Sequence, residues 1–179
     1  GIVWSIALQS NSKILVGGQF SQYNGTTENC VIRINSDGTK DSTFNTGVGF
    51  ANNSIVYTTL LLPNGKIILG GEFTSYNGIS NINRITCLNT NGSIDTTFNF
   101  GTGFNARVNV VAPYMNDRIL IGGQFITYNG DNSSVFLTGL YGNNLLSNSD
   151  FLESNNVSIW PNPVENTLKV DINSKFSNI

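Results

Sequence analysis

Two seven-residue stretches, Asn35-Ser36-Asp37-Gly38-Thr39-Lys40-Asp41 and Asn89-Thr90-Asn91-Gly92-Ser93-Ile94-Asp95, carry side-chain oxygens at spacings that could hold a hard cation. A calcium loop usually gathers several carboxylates and a bidentate Glu, whereas the second stretch has a single carboxylate. Asp-Gly and Asn-Gly hairpins, closed by an Asp that bonds to local backbone, explain the same residues, so no metal ligand is expected. Each stretch runs into hydroxyls, Asp41-Ser42-Thr43 and Asp95-Thr96-Thr97. Turn hydroxyls are usually exposed, so those of Ser42 and Thr96 are expected to face solvent. The competing reading is that Asp-x-x-Phe simply closes a structural unit, its hydroxyls serving the backbone.

Other chemistry is scarce. The chain has no histidine, which removes the commonest general base and every Ser-His or Cys-His nucleophile pair. No carboxylate pair stands at an obvious catalytic spacing, and the expectation is no catalytic residue, cofactor or metal. Gly70-Gly71-Glu72-Phe73 spells a fragment of the diguanylate cyclase signature, but Gln19 and Gln124 replace the acid in two other copies. A strand-end structural role is the simpler reading. Charged residues make up 11% of the chain and the net charge is −2, with no basic cluster, so a nucleic-acid or anionic-membrane partner is not expected. Arg33, Arg84, Arg107 and Arg118 are scattered and are expected to pair with neighbouring turns. Cys30 and Cys87 fall three positions apart in repeat register and read as buried small hydrophobes, not as a disulfide. No apolar run approaches membrane-spanning length. The chain opens on Gly1, which suggests a removed signal segment or a start inside a longer protein.

The elements that carry these turns repeat. Gly17-Gly18-Gln19-Phe20, Gly70-Gly71-Glu72-Phe73 and Gly122-Gly123-Gln124-Phe125 lie 53 and then 52 residues apart, and each precedes a Tyr-Asn-Gly at Tyr23, Tyr76 and Tyr128. Such a period signals an array of units that share a core. The repeated tyrosines are expected to pack, with glycan stacking as the other possibility. In the first unit residues 3–8 read as a strand, Asn11-Ser12 as a two-residue type I′ turn and residues 13–16 as the return strand. The turn recurs as Asn64-Gly65 and Asn116-Asp117. Residues 30–34 form a third strand, and a short fourth one ends at Phe44; residues 84–88 and Phe98 are their counterparts in the second unit. Ile14-Leu15-Val16 and Ile67-Ile68-Leu69 are apolar throughout, so both faces of that strand must be covered. Paired glycines mark close backbone approach or a bulge.

The expected fold is therefore all-β: a propeller-type array of three four-stranded antiparallel blades, about 1–52, 53–105 and 106–144. Three blades do not close a ring, so earlier blades are expected outside this sequence. Residues 5–20 and 33–44 resemble the delta-60 repeat, a family of predicted bacterial β-propellers, over about residues 1–104 and again at 108–130. The resemblance fades at 135–142, as a terminal blade would allow. It implies a fold and an envelope location, but no reaction.

Residues 145–156 read as a polar linker. After it, Val157-Ser158-Ile159-Trp160-Pro161-Asn162-Pro163 and the alternating Leu168, Val170 and Ile172 give a short strand, a rigid turn and a second strand. These residues resemble the opening of the type A C-terminal sorting domain of the type IX secretion system, a small β-sandwich, with Trp160, Pro161, Asn162 and Pro163 as its motif. Trp160 replaces the usual Tyr, and the sorting domain, 157–179, is incomplete. The resemblance implies export across a bacterial outer membrane and recognition by the translocon or its shuttle protein. The Asp-Ser/Thr stretches also resemble the O-glycosylation acceptor sequence of bacteria that use this system, and the resemblance implies Ser42 and Thr96 as O-glycosylation sites. The resulting expectation is a secreted or cell-surface, non-enzymatic repeat protein that presents a binding or adhesive surface to a cell-surface or glycan ligand. The alternative is the accessory propeller region of a larger secreted enzyme, such as a polysaccharide-degrading one.

Overall fold

The computed structural model describes residues 1–114, 118–133, 135–141, 156–159 and 170–173. Its strands are β1 (Ile2–Leu8), β2 (Ile14–Gln19), β3 (Gln22–Tyr23), β4 (Thr26–Thr27), β5 (Val31–Ile34), β6 (Ile55–Leu61), β7 (Ile67–Glu72), β8 (Ser75–Tyr76), β9 (Ile79–Ser80), β10 (Ile85–Leu88), β11 (Val108–Tyr114), β12 (Arg118–Gly123), β13 (Leu137–Tyr141), β14 (Asn156–Ile159) and β15 (Val170–Asn173). The described residues are all-β. Three antiparallel sheets follow one plan, β1-β2-β5, β6-β7-β10 and β11-β12-β13, while β3-β4 and β8-β9 form small ribbons beside the first two. In the tail β14 pairs with β15, from Asn156 opposite Asn173 to Ile159 opposite Val170.

The glycine strand holds the array together. In β7, Ile67 and Leu69 enter one core cluster with Leu15, Val31, Phe50 and Val56. Ile68, between them, enters another with Val108, Val111, Ile119 and Ile121. Alternate side chains of one strand thus pack against the preceding and following units, which is why the whole run is apolar. The paired glycines make this approach possible. A Cβ on Gly70 would lie 2.6 Å from Val108 of the next unit, and one on Gly71 would lie 2.0 Å from the Ile55 carbonyl oxygen. Gly17 and Gly18 are confined in the same way by Val56 and the Ile2 carbonyl. The same bulge interrupts each first strand, at Val3/Ser5, Val56/Thr58 and Val108/Val110. Where Val56 and Val108 are buried against the unit before them, Val3 is 53% exposed.

Two expectations need correction. The fourth strand of the first two units is a single pairing, Ile34 with Lys40 and Leu88 with Ile94, so each of these sheets has three strands. The reason lies one residue further on, where the Asp41 and Asp95 carboxylates capture the amides of Thr43 and Thr97 and bend the chain away. The turns at Asn11-Ser12 and Asn64-Gly65 are not two-residue type I′ turns either. Gln9 donates to the Lys13 carbonyl and Ser12 to the Gln9 carbonyl, with only Ser12 at positive φ; Leu62, Lys66 and Gly65 repeat the pattern. This is a three-residue loop, a type I turn closed by a left-handed residue. The positive-φ pairs of a type I′ turn occur at Asn24-Gly25 and Asn77-Gly78, between the ribbon strands. Asn116-Asp117 lies outside the described residues.

Candidate functional site

In the oxygen-rich loops the carboxylates are engaged by the protein's own donors. Asp37 Oδ1 accepts from the amide and hydroxyl of Thr39 at 2.9 and 2.7 Å. Asp41 Oδ1 accepts from the amide and hydroxyl of Thr43, and its Oδ2 from Lys13 Nζ at 2.7 Å and Arg33 Nε at 2.6 Å. Burial opposes ionisation of Asp41, but the hydrogen bonds from Lys13, Thr43 and Arg33 outweigh it and hold the carboxyl well below the usual carboxylate range. The second loop repeats the device with fewer parts. Asn91 takes the place of Asp37 and accepts from Ser93, while Asp95 accepts from Thr97 and from Lys66 at 2.6 Å. Among the described residues no cluster of three His, Cys, Asp or Glu side chains could bind a metal ion.

Arg33 faces Leu15 across the ladder, and Cys87 faces Ile68 at the equivalent step. The guanidinium that completes the first cluster is therefore replaced in the second by a thiol. Burial, aided by the Asp95 charge, pushes that thiol up to about 12, which makes it inert as a nucleophile. Cys30 is likewise buried, and both cysteines are free. They enter different core clusters. Arg33 also reaches into the second unit, donating from Nη1 to the Thr90 carbonyl at 2.7 Å and lying 4.7 Å above the Phe44 ring centroid. Arg84 donates to the Phe73 carbonyl, and Arg107 stands 5.8 Å over the Tyr57 ring.

The Tyr-Asn-Gly motif has a structural use that its spacing alone did not reveal. Tyr23 and Tyr76 donate their hydroxyls to the carbonyls of Gly38 and Gly92, both at 2.6 Å, and so fasten the tip of their own unit's hairpin. The asparagine instead grips the loop arriving from the unit before it. Asn77 Oδ1 accepts from the Val48 amide, and Asn129 Oδ1 from the amides of Thr102 and Gly103. A Cβ on Gly47 or Gly101 would collide with these amide groups at 2.1 and 2.3 Å. Phe50 and Phe104 follow, packing their rings against Phe73 and Tyr76 and against Phe125 and Tyr128. The missed signal is a second repeat, Gly47-Val48-Gly49-Phe50 and Gly101-Thr102-Gly103-Phe104.

Ser42 and Thr96 are both exposed, while the neighbouring Thr43 and Thr97 hydroxyls are bound to the buried aspartates. Glu72 is an exposed strand end. Trp160, Pro161, Asn162 and Pro163 lie outside the described residues.

Residues 9–44 and 62–98 match the model of a family described as "Domain of unknown function (DUF5122) beta-propeller". The matched stretches run from the first hairpin loop of a unit to its Asp-x-x-Phe, so the match and the structure mark the same repeat. The chain is thus a protein of propeller-type repeats. No curated protein and no solved structure matches it.

Proposed function

We propose that this chain is a secreted or surface-displayed delta-60-type repeat protein, a cargo of type IX secretion. Its array presents a binding surface, and its tail, from residue 157, addresses it to the export machinery. One observation carries the non-enzymatic part of this reading: the repeated polar side chains bond to their own turns and linkers, as Asp41, Asp95, Tyr76 and Asn77 do. Groups used in this way set the shape of a scaffold and leave the chemistry to its surface. In favour of the tail reading, β14 and β15 pair antiparallel on either side of the Trp160 motif in the sequence.

Deleting residues 157–179 in the native host tests the address. The array should remain folded but stay in the cell envelope, and equal amounts in the medium with and without the tail would remove the sorting role. Ser42 and Thr96 test the modification. A glycosyltransferase that reads Asp-Ser/Thr-Thr should treat the two exposed hydroxyls alike, so native peptides should carry glycan mass that Ser42→Ala and Thr96→Ala abolish. Bare peptides from the native host would leave both residues as ordinary turn positions.

A further inference from the structure

One backbone position is built alike in all three units and filled differently in each. Cys30, Arg84 and Phe136 stand immediately before the third strand with φ of 67, 70 and 63°. Each donates its amide to a phenylalanine carbonyl, of Phe20, Phe73 and Phe125 respectively, at 2.9 to 3.0 Å. A left-handed conformation is unusual for such side chains, and its threefold recurrence shows that the fold imposes it. In the second unit Arg84 curls back so that Nη1 donates to that same Phe73 carbonyl at 3.2 Å. In the first unit the short Cys30 side chain cannot do this, and its thiol turns instead to the Ser54 carbonyl, 3.1 Å away.

The linker differs at the same place. Residues 51–55 separate Phe50 from Val56, whereas only residues 105–107 separate Phe104 from Val108. The longer linker passes through Asn53 at φ 65°. A smaller side chain and a longer loop leave a cavity of about 450 Å³ between residues 19–21, the Asn29-Cys30 corner and residues 51–54. That volume lies within the range of roughly 300–1,000 Å³ usual for small-molecule sites.

The lining specifies a ligand class. The amide residues Gln19, Asn29, Asn52 and Asn53 line the cavity together with Ser21 and the aromatic Phe20, the Asn29 amide nitrogen being already donated to the Val48 carbonyl. No acidic or basic side chain lines it, Gly1 contributing only backbone, so an anion would find no cationic side chain and an ammonium no carboxylate. Amides offer donors and an acceptor side by side, which suits adjacent hydroxyls, and an aromatic ring suits the C–H face of a pyranose. We propose that this cavity binds a neutral sugar unit of a glycan. The proposal rests on the reading of the array as a binding surface and gives that surface a location and a ligand class.

The test uses the full chain with maltose, cellobiose and N,N′-diacetylchitobiose as probes, followed by saturation-transfer NMR and by amide shifts. At least one disaccharide should bind with shifts concentrated at residues 19–21, 29–30 and 51–54. Cys30→Arg, which imports the second unit's filler, should weaken that binding tenfold or more. Asn52→Ala with Gln19→Ala alters only exposed side chains and should weaken it several-fold, so the test survives if the arginine variant fails to fold. Binding that neither variant affects would overturn this site while leaving the array a glycan-binding surface. No binding of any probe would overturn the sugar site itself, and the tail-deletion experiment would still judge the secretion reading on its own.

Discussion

The first two units share a backbone plan but anchor their closing aspartates differently. Asp41 is buried between Lys13 and Arg33, with Arg33 itself 6% exposed; Asp95 has Lys66, which is 29% exposed at its side chain, and beside it the uncharged Cys87. The first arrangement commits two cations to one carboxylate and, through the Arg33 bond to Thr90, ties the cluster to the next unit. The second keeps the turn with one cation that water can still reach. What the fold requires is therefore the carboxylate and its grip on the Thr43 or Thr97 amide, whereas the number of counter-charges is free to vary. A buried charge is tolerated only while its partner stays, so the richer cluster is also the more fragile one.

The largest expected effect follows from that difference. Asp41→Asn leaves Arg33 buried without its counter-charge and should cost about 3–5 kcal/mol. Asp95→Asn frees Lys66 to turn into solvent and should cost only about 1–2 kcal/mol. Urea denaturation of both variants checks the ratio, and equal losses would mean that the second cation contributes nothing. Acid sharpens the same comparison. Both carboxyls are held below their ordinary values, burial opposing ionisation and the lysine and threonine hydrogen bonds favouring it more strongly. Their stabilisation is therefore complete above the unfolded-state value of about 4 and is lost as pH falls through the folded values. Wild-type stability should drop below about pH 4, and Asp41→Asn should flatten that drop more than Asp95→Asn does. A pH profile of unfolding midpoints that is the same in all three proteins would contradict the assignment.

The array was legible because Gly-Gly recurs at a near-constant spacing and an all-apolar strand needs two covered faces. The turn type was not, since Asn64-Gly65 satisfies a type I′ turn and a left-handed loop closure equally well. Only the strand register, Leu61 opposite Ile67, decides between them. The aspartate clusters were hidden for a different reason. Lys13 and Asp41 are 28 residues apart, and the Arg33–Cys87 equivalence is offset because the second unit has one more residue before its third strand. Both oxygen-rich loops were visible as turns. That Ser42 and Thr96 stay exposed while the next hydroxyl is bound depends on the direction of the bend, which composition does not encode. The cavity beside Cys30 arises because that residue is smaller than Arg84 and Phe136 at the same backbone position, an equivalence set by φ and hydrogen bonding, which spacing does not encode.

The smallest effect concerns the tyrosines, where the two units differ in cover and not in bonding. Tyr23 and Tyr76 make the same 2.6 Å hydrogen bond to a glycine carbonyl. Tyr76, however, is only 1% exposed, and Phe50 from the first unit packs edge-on against it at 4.8 Å. Tyr23 is half-buried, as is the Gly38 that it caps, whereas Gly92 is buried. Removing a hydroxyl strands a carbonyl, and the penalty depends on whether water can replace the donor. Tyr76→Phe should therefore cost about 1–2 kcal/mol and Tyr23→Phe about 0.5 kcal/mol. Hydrogen exchange should quicken at the amides of residues 89–93 in the first variant and change little at residues 35–39 in the second. Equal acceleration at both turns would show that the arriving phenylalanine does not exclude water, and with it would go the idea that each unit is finished by the linker of the one before.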